Sequence, residues 1–456
     1  MEVPFQLIEK YGGPAPRYTS YPPANHFAPL PDLEARLRDY FSVHPNNEAL
    51  SVYLHVPFCS KLCFFCGCNM QVSHDQSLIG RYVDHMLGEI ALWRQLIGGR
   101  AKVSEIHFGG GTPSELPKAQ MDKILAALGA AFEVLPDSRM SIEIDPRYLA
   151  SEAEAQRFVD QGFNRISLGV QDFNEKVQKT VNRIQPLEKT FQSYQWFKSR
   201  GMQSINIDLI YGLPFQTHES FSQTLREVLR LDPDRIALFQ FAYLPKLKKH
   251  HSLLPVIAMP GPQARLDLFN MALRVFSDAG YVYLGMDHFA KQGDPLTQAA
   301  AEKRMGRNFQ GYHEGHSPHM ISVGVSAIGV LPGMYFQNGK DVLSYGVAIS
   351  EGRLPLERGL VMSADDQIRR RVIERLMCDF ALDFAWVSQR CGQAASDYFA
   401  AEIEELKPMA ADGLLQITAQ GIDVTPLGKH FIRYIAKGFD TYARQGKMSP
   451  HHMQAV

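Results

Sequence analysis

From about residue 50 to residue 290, short β-branched or apolar runs alternate with longer amphipathic stretches, a rhythm that constrains the fold more than any other feature of the chain. The strand candidates are Ser51 to Pro57, Glu105 to Phe108, Ser141 to Ile144, Arg165 to Val170, Ile205 to Ile210, Arg235 to Phe241 and Tyr281 to Gly285. Between them lie helical patterns over Arg81 to Ile97, Pro117 to Phe132, Ser151 to Gln161, Leu187 to Ser199, Thr217 to Leu231 and Pro262 to Ala279. Strands joined through helices are expected to be parallel neighbours, so the core should be a parallel sheet, open or curled into a full or partial barrel. Ligands then gather at the carboxyl ends of the strands.

The residues at those ends support that expectation. Cysteines follow the first strand and Gly109-Gly110-Gly111-Thr112-Pro113 the second. The third ends Glu143-Ile144-Asp145-Pro146, the fourth Gly169-Val170-Gln171-Asp172, and the fifth carries Asp208 and runs to Tyr211-Gly212-Leu213-Pro214. Polar groups and glycines punctuate the same end of five consecutive strands, where packing alone would need only ordinary turn residues.

The flanks differ. The run Pro14 to Pro23 reads as an extended arm without regular structure. From about Asp365 the rhythm gives way to helical patterns over Asp365 to Phe380 and Ala394 to Ala411, a hairpin pattern over Gly413 to Thr425, and a last helix to about Ala443. Helix, hairpin and helix suit a winged-helix-like appendage, within which Arg369-Arg370-Arg371 is expected to form a solvated face. The expected organisation is an arm over 1–45, a catalytic domain with its extension over 46–362 and a mostly helical domain over 363–456.

Charge and composition remove several classes. With 47 Lys and Arg against 48 Asp and Glu, a net charge of −1 argues against nucleic acid as a partner. A 45% hydrophobic content supports a sizeable core. The longest apolar run, Ile321 to Leu331, is broken by Ser and Gly, too short for a membrane span. No basic segment precedes an apolar one at Met1, so a soluble cytoplasmic protein is expected.

Of six cysteines, Cys59, Cys63, Cys66 and Cys68 lie within ten residues as C-x3-C-x2-C-x-C. Close thiolates in a reducing compartment suit iron or zinc better than a disulfide. Structural zinc usually draws a second ligand pair from well downstream, and Cys378 and Cys391 lie far away in the appendage. The loop therefore suits a [4Fe–4S] cluster. Spacing leaves open whether four thiolates close the cluster for electron transfer or three leave one iron free for catalysis.

The C-x3-C-x2-C motif after a strand, followed by Gly-Gly-Gly-Thr-Pro on the next, resembles the radical S-adenosylmethionine (SAM) superfamily. Tyr53-Leu54-His55-Val56-Pro57-Phe58-Cys59, Cys66-Gly67-Cys68-Asn69, Gly169 to Phe173, Asp208 to Pro214, Gly285 to Ala290, Asn308 to Tyr312 and the arm motif Pro16 to Pro22 are together similar to the oxygen-independent coproporphyrinogen III oxidase (dehydrogenase) family. The resemblance spans essentially the whole chain. It implies an α/β fold with a partial (β/α)6 TIM-like barrel, and anaerobic oxidative decarboxylation of two propionates of coproporphyrinogen III to vinyl groups, giving protoporphyrinogen IX in haem biosynthesis.

The same resemblance implies site residues. Cys59, Cys63 and Cys66 would ligate the [4Fe–4S] cluster and Cys68 would not. An iron-bound SAM would meet Tyr53, Gly110, Glu143 and Ile328. A second SAM would meet Phe65, Gly111, Thr112, Gln171, Arg183, Asp208 and Ala242. Four substrate carboxylates call for cationic donors, for which Arg17, His288 and Arg307 are candidates. Tyr18 and Tyr21 are expected to close a lid over the barrel mouth, and His55 to be a packing residue near the cluster. The expected partners are an electron donor for the cluster and an unidentified electron acceptor, with the chain a monomer.

Two alternatives stand beside this reading. The sister radical-SAM haem chaperones share cluster and barrel, but generally lack the counterparts of Cys68, the Arg-Tyr-Thr-Ser-Tyr-Pro arm and the Asn308 to Tyr312 motif. An iron–sulfur electron-transfer protein would use all four cysteines and ignore SAM.

Overall fold

A computed structural model describes residues 3–44, 48–315 and 319–447. Six strands, β1 (Leu50–Val56), β2 (Lys102–Gly110), β3 (Glu133–Ile144), β4 (Arg165–Gln171), β5 (Ser204–Tyr211) and β6 (Arg235–Gln240), lie side by side in chain order, each parallel to the next. Their connections carry the helices Gln76–Ile97, Lys118–Ala131, Glu152–Asp160, Leu187–Ser199 and His218–Leu231. Most ends of these helices were legible, but the first begins at Gln76, capped by Asp75, before the expected Arg81. Ser151 and Thr217 accept hydrogen bonds from Glu154 N and Ser220 N as N-caps, and Gly98 ends the first helix in the left-handed region.

Residues at alternate positions along the six strands face one cavity: Tyr53 and His55, Glu105 and His107, Ser141 and Glu143, Arg165 and Ser167, Asn206 and Asp208, Arg235 and Ala237. The opposite face carries Val52, Leu54, Ile106, Phe108 and Ile207, all buried under the helices. A sheet whose successive strands share one enclosed face is curled, and this one stays open, as a partial barrel.

The parallel-neighbour rule fails after β6. Tyr281–Gly285 (β7) does not pair with β6; β8 (His288–Lys291) inserts between them, antiparallel to both. The cause is the turn at Gly285 and Met286, whose φ angles of 109° and 50° reverse the chain. A short hairpin of β9 (Gly306–Asn308) and β10 (Gly311–His313) follows. β11 (Met320–Val323) then pairs parallel to β1 on the far side, and β12 (Ile328–Leu331), β13 (Met334–Asn338) and β14 (Leu356–Val361) extend that edge antiparallel.

The arm is not devoid of regular structure. Helices Phe5–Tyr11 and Leu33–Val43 bracket its proline-rich run, where the apolar spacing of Leu33, Leu37 and Phe41 outside the prolines packs a helix face into the main core. The expected boundary at 45/46 lies outside the described residues. In the C-terminal region, Ala364–Asp379, Phe384–Cys391 and Ala400–Ala411 pack on a three-stranded antiparallel sheet of β15 (Ala381–Asp383), β16 (Leu415–Ile417) and β17 (Gly421–Val424), in the order β15-β17-β16. The expected helix over Ala394 to Ala411 breaks at Phe399, which is buried, and the last helix is reduced to short pieces at Ile432–Lys437 and Thr441–Arg444.

The triple arginine is not a solvated face. Arg369 bonds Glu402 at 2.9 Å and Asp365 at 2.8 Å, Arg370 lies over the Tyr335 ring, and Arg371 meets Glu374 at 2.9 Å. Arg369 and Arg370 thereby tie the C-terminal region to itself and to β13. One apolar cluster joins Val3, Tyr11, Tyr18 and Tyr21 of the arm to Val372, Leu376 and Phe439 and to Leu284 and Met286 on the barrel. No helix among the described residues is long and apolar enough to cross a membrane.

Candidate active site

The cysteine loop leaves β1 at its carboxyl end. Phe58–Cys59 forms a short parallel pair with Gln71–Val72, and the loop between is clamped by Phe64 N to Val181 O at 2.9 Å and Asn182 Nδ2 to Leu62 O at 2.8 Å. Donors point at the sulfurs. Thr112 Oγ1 stands 3.2 Å from Cys59 Sγ, and Arg147 and Arg183 stand 3.4 and 3.7 Å from Cys63 Sγ. Both guanidiniums are held by Asp145, at 2.7 and 2.9 Å.

Hydroxyl and guanidinium donors on thiol sulfur are what an anionic iron–thiolate centre requires of its surroundings. Burial pushes the Cys59 thiol up to about 12, so its deprotonation needs a strongly cationic partner such as a metal centre. Gly111 approaches the loop so closely that a Cβ there would stand 2.6 Å from Phe58 O. The surroundings of Cys59 and Cys63 therefore fit a cluster held on this loop. Among the described residues no three His, Cys, Asp or Glu side chains converge on a single-ion site; a multi-iron cluster has no such requirement, since each iron takes its own thiolate.

Beside the loop lies a cavity of about 900 Å³ that reaches from Gly67 and Cys68 to the arm. Tyr53, Gly110, Glu143 and Ile328 all line it. Glu143 Oε2 accepts from Gly110 N at 3.1 Å, its Oε1 stands 3.6 Å from His107 Nε2, and its side chain remains 42% exposed, open to a cationic ligand. Tyr53 stacks on His107, and its hydroxyl meets His55 Nδ1 at 3.0 Å. His55 is oriented further by Asn69 O at 2.8 Å, and burial lowers its pKa, so it stays a neutral positioning group.

The residues expected around a second SAM do not gather in the same way. Asp208 lines the cavity, bonded by Ser167 and Asn206 at 2.8 and 2.7 Å, and burial raises its pKa to about 6. Gly111, Thr112 and Arg183 stand against the cysteine loop, as described above. Phe65 packs on an apolar cluster that includes Val177, Leu213 and Phe241. Gln171 adopts a φ of 70° at the end of β4, and Ala242 is half-buried just beyond β6.

Arg17, His288 and Arg307 all line the far end of the cavity. Arg17 pairs with Asp287, and Arg307 donates from Nε to Arg17 O at 3.3 Å and lies over the Tyr312 ring. Arg307 Nη1 and His288 Nδ1 are buried polar atoms without a hydrogen-bond partner. Burial drives the His288 pKa to about 3, so it offers hydrogen bonds rather than charge. Tyr18 and Tyr21 do not line the cavity. Their hydroxyls bond Asp440 and Thr441 at 3.0 and 2.9 Å, while the neighbouring Arg17 and Thr19 reach the cavity wall.

Sequence reasoning missed the floor. Arg139, Arg165 and Arg235 enter the cavity and converge on Glu314, at 3.3 Å, at 2.5 Å and in a short contact. Burial would raise the Glu314 pKa, yet Arg165 and Arg235 hold it down near 2. The available signal was polar residues at alternate positions, Arg139-Ser141-Glu143 and Arg165-Ser167, inside strands otherwise read by their apolar residues.

The chain matches the radical SAM superfamily over residues 53–228 and the HemN C-terminal domain over 362–431. It is 41% identical to the oxygen-independent coproporphyrinogen III oxidase of Escherichia coli over 96% of this chain and 95% of that one. It is 39% identical to the protein of that name from Synechocystis over 100% of this chain and 98% of the relative. The solved structure described as coproporphyrinogen III oxidase (HemN) from Escherichia coli, a radical SAM enzyme, superposes with a TM-score of 0.92 at 39% identity, covering 97% of this chain and 99% of that one. Fold, cysteine loop and full-length similarity agree: the chain belongs to the oxygen-independent coproporphyrinogen III oxidase family of radical SAM enzymes.

Proposed function

We infer that the chain oxidatively decarboxylates two propionate side chains of coproporphyrinogen III to vinyl groups without oxygen, giving protoporphyrinogen IX. The observation that carries this reading is the single cavity that runs from Cys68 and Glu143 beside the cysteine loop to Arg17, His288 and Arg307 at the arm. One end suits a cationic nucleoside, the other a carboxylate. Cys59, Cys63 and Cys66 would hold the cluster, which when bound would supply the one-electron reduction of SAM that yields a hydrogen-abstracting adenosyl radical.

The remaining work belongs to the chain's own residues. Glu143, fixed by Gly110 N, receives the SAM ammonium or ribose hydroxyls, and Tyr53 and Ile328 flank it. Arg307 Nη1 and neutral His288 Nδ1 receive a propionate carboxylate, and Arg17, held by Asp287, closes the same end. After hydrogen removal from the carbon next to the ring, the side chain loses CO2 and gives one electron to an acceptor outside the chain, leaving the vinyl double bond. Asp208 and Arg183 are assigned to a second SAM, and the Cys68 thiol to the cluster's border.

The chain works as a cytoplasmic monomer with 1–45 as arm, 46–362 as catalytic unit and 363–456 as cover. Anaerobic reconstitution with iron and sulfide, followed by SAM, reductant and coproporphyrinogen III, should give 5′-deoxyadenosine and CO2 together. 5′-Deoxyadenosine without CO2 from the substrate overturns the oxidase reading. Enhanced haem binding without turnover would favour the chaperone, and a cluster EPR signal indifferent to SAM the electron-transfer protein.

A further inference from the structure

Exposed large apolar side chains are concentrated around the cysteine loop. Val72 pairs with Cys59 in the short ladder, and Ile184 follows Arg183, whose guanidinium stands near Cys63. Leu247, Leu253, Val256 and Ile257 belong to the segment after β6, and Ile257 is 99% exposed. That segment is braced on the loop itself: Lys248 Nζ donates to Cys68 O at 2.7 Å and His250 Nε2 meets Cys66 O at 2.8 Å.

The two chain segments that form this surface carry charge of one sign. The sequence holds no Asp or Glu between Glu48 and Asp75, nor between Asp234 and Asp267, while Lys61, Lys246, Lys248 and Lys249 fall inside those intervals. None of these four lysines has a carboxylate partner among the described residues. The acids at the border are already engaged, beginning with half-buried Glu115, which accepts from Ser60 of the loop. Asp75 caps a helix through Ser77 N and Leu78 N, and Glu175 pairs with Lys179 at 2.5 Å. In a chain of net charge −1, an acid-free lysine rim around apolar side chains is a local concentration, and it complements an acidic protein surface with an apolar centre.

We propose that this surface is the docking site for an acidic one-electron carrier protein that reduces the cluster. The proposal rests on the radical SAM reading above. The patch adjoins the cysteine loop directly, through Lys248 on Cys68 O and His250 on Cys66 O, so a partner seated on it lies close to the thiols. One electron leaves the reduced carrier and enters the cluster, with no atom or proton transferred. Lys246, Lys249 and Ile257 set the orientation, and the lysines speed encounter.

The test uses the reconstituted full chain with reduced flavodoxin as an acidic carrier and dithionite as a small reductant. Binding is read by titration with oxidised flavodoxin, and cluster reduction by stopped-flow absorbance. Lys246→Glu with Lys249→Glu, and separately Ile257→Ser, should weaken flavodoxin binding and slow its electron transfer by about tenfold or more, with the wild-type rate falling as salt rises. Reduction by dithionite, and 5′-deoxyadenosine formed with it, should be unchanged. Equal flavodoxin binding by wild type and variants overturns the proposal. So does a dimer dissolved by Ile257→Ser, or lysine-dependent binding to phosphatidylserine vesicles, when flavodoxin transfer is unaffected. Wild type that makes no 5′-deoxyadenosine with dithionite fails the radical SAM reading instead, while the flavodoxin titration still decides the docking surface.

Discussion

Asp208 is a buried carboxylate on the cavity wall, and its environment sets when it carries charge. Burial, with the nearby Glu143 charge, lifts its pKa to about 6 against the opposing bonds from Ser167 and Asn206. The carboxylate is thus largely protonated below pH 6 and ionised above it. A cationic ligand binds the ionised form and lowers the pKa, so SAM affinity should strengthen as pH rises from about 5 to about 7. Asp208→Asn should flatten that dependence and weaken binding at pH 7.5 by about tenfold, roughly 1.4 kcal/mol, as read by calorimetric titration. An unaltered pH profile would remove Asp208 from the SAM site. Positions on the cavity wall were legible where motif and strand end coincided, as at Glu143 and Gly110. They were not legible at Arg139, Arg165 and Arg235, whose meaning arises when three strands meet Glu314 from 79 to 175 residues away.

Elements are tied to one another by buried polar groups as well as by apolar faces. Glu89, on the long helix Gln76–Ile97, accepts hydrogen bonds from Gly324 N at 2.7 Å, Asn338 Nδ2 at 2.7 Å and Tyr345 Oη at 2.6 Å. It therefore fastens that helix to the loop after β11, to the end of β13 and to the helix Val342–Ser350. Burial pushes its pKa to about 7, so the folded protein retains a proton that the unfolded chain releases near its usual 4.5. The sign follows: its contribution to stability falls as pH rises from about 4.5 to about 7. Glu89→Ala leaves three buried donors and should cost about 2 to 5 kcal/mol in urea unfolding at pH 7. A loss below about 0.5 kcal/mol would contradict the tie. The βα rhythm revealed β1 to β6 because each strand and its helix are specified locally. It misassigned the neighbour of β7 because a tight turn, with no crossover helix, brings β8 back between β7 and β6.

At the scale of the molecule, arm and C-terminal region are one assembly closing the end of the cavity that Arg17 lines. Arg433 donates to Pro16 O at 3.1 Å, Tyr18 bonds Asp440, and Tyr21 bonds Thr441. Proline content alone implied a surface strap. The burial of Tyr18 and Tyr21 comes from partners more than 400 residues away, which no local pattern encodes. Tyr18→Phe removes one donor from the buried Asp440 and should cost about 1 to 2 kcal/mol. Because Arg17 is the adjacent residue, the same change should raise KM for coproporphyrinogen more than it lowers kcat. An unchanged KM with the expected loss of stability would make the arm a structural strap without a hand in substrate binding.

The central claim is that one cavity presents a substrate propionate to the radical generated beside Cys59, Cys63 and Cys66. The most direct measurement uses coproporphyrinogen III deuterated on the propionate carbons next to the rings, incubated anaerobically with the reconstituted enzyme, SAM and reductant, followed by mass spectrometry of nucleoside and porphyrin. Deuterium should appear in 5′-deoxyadenosine, and the tetrapyrrole should lose two CO2, two deuterium and two further hydrogen equivalents in becoming the divinyl product. Unlabelled 5′-deoxyadenosine beside an intact tetrapyrrole would contradict the account.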